Sequence, residues 1–141
     1  MDRSLHAHVF SVLVGDDDLA IRESVVELLS DRPLRIFTAS TGSAALKTLL
    51  RESIDFTILD VEMPDMTGPQ VLEAYLSGPW VAATRGPAAR RPRRRLPAIF
   101  MSGNPAVEIR TRCQALGSKF LDKPFTPDDM RAAVDAILHR F

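Results

Sequence analysis

Cysteine is nearly absent from the 141-residue chain. Its one thiol, Cys113, can close no internal disulfide, which fits a reducing cytoplasm. Net charge is missing too: 18 acidic and 18 basic residues cancel, so no global field draws the chain to nucleic acid or a membrane. No apolar run approaches the roughly 18–20 residues of a membrane span. The apolar stretch Val9–Gly15 runs directly into acids, with no Ala-x-Ala-like site after it, so it does not read as a signal peptide. Internal repeats are also lacking. What is present is a 45% share of hydrophobic residues, enough to bury a sizeable core in one domain over residues 1–141.

Short β-like runs alternate with helical stretches along this chain. Val9–Val14 is a nearly continuous apolar run, as expected of a strand covered on both faces. Leu19–Ser30 follows as a helix with Ile21, Val25, Leu28 and Leu29 on one face and Asp18 placed to cap it. "RIFTA" (35–39) is a second strand, and "STGSAALKTLLRES" (40–53) a second helix. "FTIL" (56–59) is a third strand running into Asp60, and "VEMPDMTG" is a loop before a third helix that starts near Val71. "AIFM" (98–101) is the fourth strand. Asn104 and Pro105 suit the cap and first turn of a helix carrying Val107, Ile109, Cys113 and Leu116, with Gly117 closing it. "KFL" is a short fifth strand. "TPDD" opens the last helix, with Thr126 as cap, Pro127 in the first turn, and Met130, Ala133, Val134, Ile137 and Leu138 inward. Five βα units of this kind predict an α/β fold, a doubly wound parallel sheet with helices on both faces.

One stretch breaks the rhythm. "SGPWVAATRGPAARRPRRRLP" (77–97) holds six arginines and keeps neither helical nor strand period. It is expected to be an irregular, Arg/Pro-rich insertion. The arginines suggest either a solvated loop or a contact for an acidic partner. Trp80 stands apart from them, so interleaved stacking on single-stranded nucleic acid is not indicated.

In an open parallel sheet the working crevice lies at the carboxyl ends of the strands. There the sequence places Asp16 and Asp17 after the first strand, Asp60 after the third, Ser102 after the fourth and Lys123 after the fifth. Neighbouring carboxylates repel one another, so Asp16 and Asp17 are either a solvated turn or the seat of a cation. Hard oxygen ligands with open positions suit Mg²⁺. With such an ion in place, Asp60 becomes a plausible nucleophile toward phosphorus. Lys123 and the Ser102 hydroxyl would then neutralise the equatorial oxygens.

Taken in order, "VLVGDDD", "ILDVEMPDMTG", "IFMSG" and "FLDKPF" resemble the four signature segments of the bacterial two-component response-regulator receiver domain. The resemblance runs from about Val9 to Leu138. It implies a five-stranded sheet of order 2-1-3-4-5 and phosphorylation of Asp60 by the phosphohistidine of a sensor kinase. It further implies that Asp16, Asp17, Asp60 and the Glu62 carbonyl serve Mg²⁺, that Lys123 binds the phosphoryl group, and that Ser102 and Phe120 form the switch. A cis bond between Lys123 and Pro124 is also common in the family. Three features depart from its pattern: Gly15 stands where a β-branched residue is usual, Phe120 lacks a ring hydroxyl, and the arginine tract is long.

The implied partners are a histidine kinase or phosphotransfer protein, and a downstream protein or second copy on the face of the fourth helix, fifth strand and fifth helix. Membrane contact is not expected. Two rival readings stay open at this point. "LDVE" weakly resembles an Asp-nucleophile phosphatase motif, although such enzymes place the nucleophile near the first strand. The chain could also be a receiver-like interaction module that is never phosphorylated.

Overall fold

A computed structural model describes residues 8–77, 96–103 and 106–141. In chain order the elements are β1 (Phe10–Gly15), α1 (Leu19–Leu28), β2 (Leu34–Ala39), α2 (Gly42–Arg51) and β3 (Phe56–Asp60). They continue with α3 (Gly68–Ser77), β4 (Ala98–Ser102), α4 (Val107–Ala115), β5 (Lys119–Asp122) and α5 (Pro127–Leu138). The strands form one parallel sheet of order β2-β1-β3-β4-β5. The chain winds outward one way from β1 to β2 and then back across to β3, so the strand order reverses beside β1. That places a crevice above the carboxyl ends of β1 and β3.

The central strands are apolar throughout because helices cover both of their faces. Successive side chains point to opposite sides. Val12, Val14, Phe56, Ile58, Ile99 and Met101 face α1 and α5, where they meet Val25, Leu29, Met130, Val134 and Ile137. Leu13, Leu59 and Phe100 face the other way, onto Ala45, Leu49, Val71, Leu72 and Cys113. Thr57 is the polar exception inside β3, and its hydroxyl donates to the Leu13 carbonyl at 2.9 Å. The tight strand ends are thus fixed by two independent cores.

Local signals explain most boundaries. Asp18 caps α1, accepting from the Ala20 and Ile21 amides. Thr126 and Asp129 form a reciprocal capping box at α5, with Pro127 in its first turn. Gly117 follows α4 with φ 70°. Two starts differ from expectation. Helix α3 begins at Gly68 rather than Val71, because Thr67 and Gln70 cap its first turn (Thr67 N to Gln70 Oε1 2.9 Å, Gln70 N to Thr67 Oγ1 3.2 Å) and Pro69 fits there. Helix α4 is capped at Ala106 with no side-chain bond; Asn104 and Pro105 lie outside the described residues. Val107, expected among the apolar residues of this helix, is 74% exposed at the first position of α4. Of the insertion expected over 77–97, Ser77 closes α3 and Leu96 is buried in the core, while residues 78–95 lie outside the described residues.

Candidate functional site

The carboxyl ends of β1, β3, β4 and β5 bring the expected side chains to one rim. Asp16, Asp17 and Asp60 each present a carboxylate oxygen within 4.8 Å of the others. Asp16 and Asp60 are buried and Asp17 is exposed. Lys123 reaches in from the end of β5. Its ammonium lies 2.9 Å from Asp16 Oδ2 and 3.2 Å from Asp60 Oδ1. The Lys123–Pro124 bond is cis.

The backbone explains the convergence. The Lys123 amide donates to the Ser102 carbonyl at 2.7 Å, extending the β4–β5 pairing past Asp122. The Asp16 amide donates to the Ala39 carbonyl of β2, and the Val61 amide to the Met101 carbonyl of β4. Each strand end is therefore tied to its neighbour one residue beyond the regular ladder. Asp16 is held further by the Asp18 amide on its Oδ1 at 2.9 Å, while Arg22 Nη1 donates to its carbonyl at 2.8 Å.

Two glycines let these ends close up. A Cβ on Gly68 would fall 2.6 Å from the Asp60 carbonyl and close to the Phe100 ring. A Cβ on Gly15 would fall 2.9 Å from Leu59 Cδ2. The departure at Gly15 is thus a packing solution: Leu59 occupies the space where a β-branched side chain would begin.

The electrostatics follow from burial and crowding. Burial pushes the Asp60 carboxyl up to about 7, the Asp16 charge adds to the rise, and Lys123 opposes both. Burial works against the Lys123 ammonium, but the hydrogen bond to Asp16 and the charge of Asp60 outweigh it, so its affinity for protons is raised. One ammonium thus serves two buried carboxylates and an exposed third, leaving a site with more negative charge than its own cation compensates.

Ser102 is 1% exposed. Its hydroxyl lies 3.0 and 2.9 Å from the two carboxylate oxygens of Glu62 and donates its proton to that pair. Glu62 was expected to act through its backbone; its side-chain hold on Ser102 was missed. The only hint in the sequence was its place two residues after Asp60. Phe120 is half-buried beneath Arg110, whose guanidinium carbon lies 4.4 Å from the ring centroid while Nη2 pairs with Asp122 at 2.8 Å. Neither Arg110 nor Arg22 stood out in the sequence, since a lone arginine on a helix reads as solvated surface.

A switch-point crevice on a doubly wound sheet thus holds two buried carboxylates, an exposed third and one lysine. Residues 12–78 match the family described as the response regulator receiver domain. The cell cycle response regulator CtrA of Brucella ovis is 26% identical over 130 residues, covering 92% of this chain and 50% of the relative. This chain therefore spans about half the length of that curated relative. A CheY-like response regulator receiver domain protein from Methanospirillum hungatei superposes with a TM-score of 0.77 at 21% identity, over 94% of this chain and 96% of the other. The CheY chain in a CheX–CheY–BeF3–Mg complex from Borrelia burgdorferi gives 0.71 at 20% identity, over 92% and 89%. Residues 12–78 are thus similar to the response regulator receiver domain, and the described fold is that of solved receiver domains. The phosphatase and unphosphorylated-module readings are not favoured by these likenesses.

Proposed function

We propose that Asp60 accepts a phosphoryl group from a phosphohistidine, with Mg²⁺ held by Asp16, Asp17, Asp60 and the Glu62 carbonyl. The observation that carries this reading is the Lys123 ammonium lying between two buried carboxylates, with a third carboxylate on the same rim. The donor set fits Mg²⁺: all the ligating atoms are hard oxygens, and their negative charge exceeds what Lys123 neutralises. When bound, the ion would shield the approaching phosphoryl oxygens and hold Asp60 in its charged, nucleophilic form.

An Asp60 oxygen attacks phosphorus, the bond to the donor imidazole breaks, and the electron pair leaves with that nitrogen. Lys123 is positioned to exchange its Asp60 contact for a phosphoryl oxygen. Ser102 would release Glu62 and donate to a second oxygen. Phe120 follows Ser102 inward once Arg110 lets the ring go, and the surface of α4, β5 and α5 changes for a downstream partner or a second copy. An apolar cleft of about 440 Å³ between α1 and the segment after β5 opens beside Lys123, lined by Ile21, Val25, Leu28, Pro124 and Phe125. It suits the apolar face of a helix on the phosphodonor protein. The Borrelia complex, named for its BeF3 and Mg²⁺, is the related case in which a receiver of this fold was captured with both.

The test is phosphorus NMR on protein incubated with phosphoramidate. An acyl-phosphate resonance that needs Mg²⁺, disappears with EDTA and is absent from Asp60→Asn is the expected result. A metal-independent signal, or one retained by Asp60→Asn, would reject the assignment.

A further inference from the structure

We infer that Asp65 is a positioning residue for the phosphoryl site. It docks the loop that follows the acceptor onto the N-terminus of α2, and so sets where the Glu62 carbonyl stands. Asp65 touches none of the reacting groups. One carboxylate oxygen accepts the Gly42 amide at 2.7 Å and its own loop's Met66 amide at 2.9 Å; the other accepts the Ser43 amide at 2.9 Å. Hydrogen bonding from Ser43, then from Gly42, holds its carboxyl well below the usual range.

The α2 side is shaped for this contact. A Cβ on Gly42 would lie 2.5 Å from Met66 Cβ and 2.7 Å from the Met66 carbonyl, so only glycine lets the loop lie flat on the helix end. Thr41 separately satisfies the Ala44 amide at 3.1 Å, so Asp65 is not the helix's own cap. It is an anchor reaching in from the acceptor loop.

The loop needs such an anchor. Its start is tied by the Val61 amide to β4, and its end by the Thr67–Gln70 cap of α3. Between them Met63 is buried, whereas Glu62, Pro64 and Asp65 are exposed. The Glu62 side chain ties this middle stretch to Ser102 of β4, and the Asp65 bridge is its polar tie to α2. Glu62 lies three residues upstream, and its carbonyl direction depends on how the stretch is pinned. This inference rests on the metal reading above.

The test compares Asp65→Ala with Thr41→Ala in the full chain. Thr41→Ala removes a cap from the same helix end without releasing the loop, so it controls for lost stability. Two readouts are taken: Mg²⁺ affinity by calorimetry, and amide exchange of residues 61–66 by NMR in the absence of metal. Asp65→Ala is expected to weaken Mg²⁺ binding about tenfold, as for other residues that orient ligands from behind, and to speed exchange across 61–66. Thr41→Ala should change neither. Wild-type affinity in Asp65→Ala, or equal weakening in both variants, would overturn the inference. Should the wild type bind no Mg²⁺ at all, the metal reading fails on its own. The exchange data then still decide the docking, and unchanged exchange in Asp65→Ala rejects it.

Discussion

At the residue scale, the site is governed by a shortage of positive charge. Asp16 and Asp60 are both buried, and one ammonium spans them. Removing that ammonium leaves two buried carboxylates facing each other. Lys123→Ala should therefore cost about 2–3 kcal/mol of stability in metal-free protein near neutral pH. Added Mg²⁺ should recover part of that loss, as read by urea denaturation with and without the ion. Asp60→Asn has the opposite sign. It removes one of the repelling charges and keeps the shape, so metal-free stability at pH 8 should rise by roughly 1–2 kcal/mol while phosphoryl uptake disappears. A fall in stability on Asp60→Asn would mean the Lys123–Asp60 attraction exceeds the Asp16–Asp60 repulsion.

At the element scale, α4 is the weakest-held helix. Its cap residue Ala106 makes no side-chain bond, and Cys113 is its single buried residue. Beyond Cys113, Ile109 packs partly buried against the core, and the other ties are polar, from Arg112 to Glu73 on α3 and from Arg110 to Asp122 on β5. Helix α5 contrasts with it, carrying a capping box and four buried residues. Amide exchange should be faster in α4 than in α5 by at least tenfold, as expected where few apolar contacts resist local opening. Cys113 gives a second probe of the same element. It is fully buried, and burial raises its thiol to about 11. Its reaction with a disulfide reagent should follow α4 opening rather than thiol chemistry.

The α5 boundary was legible because Thr126, Pro127 and Asp129 sit together in sequence. The start of α4 was not, because Ala106 caps through its backbone alone. The same distinction separates the site residues. Asp16, Asp17, Asp60, Ser102 and Lys123 were legible because each ends a strand, and topology alone gathers strand ends. The Glu62–Ser102 bond joins residues 40 apart, and the Asp65 bridge joins residues 22 and 23 apart. Such pairings depend on side-chain reach across the finished fold, which no local pattern encodes.

At the scale of the whole molecule, two apolar layers hold one sheet rigid while its carboxyl end stores repulsion. The strain on Asp60 gives global stability a definite pH dependence. Its folded value of about 7 lies above the ordinary 3.8. Between those values the folded state binds a proton that the unfolded chain releases, so this group favours folding at low pH. Stability of the metal-free protein should therefore fall as pH rises from about 4 to about 7, by on the order of 4 kcal/mol from this group. Asp60→Asn, or saturating Mg²⁺, should flatten that limb of the profile. Chemical denaturation across this range measures it directly. The same stored repulsion makes the site receptive to a cation and to a phosphoryl group, so stability and proposed activity have one origin.

The central claim is that this rim converts Asp60 into a phosphoryl acceptor. Intact-mass measurement after incubation with acetyl phosphate and Mg²⁺ tests it most directly. A single phosphoryl increment is expected on the wild-type chain, lost on adding EDTA and absent from Asp60→Asn. No increment on the wild type, or the same increment on Asp60→Asn, would contradict the account.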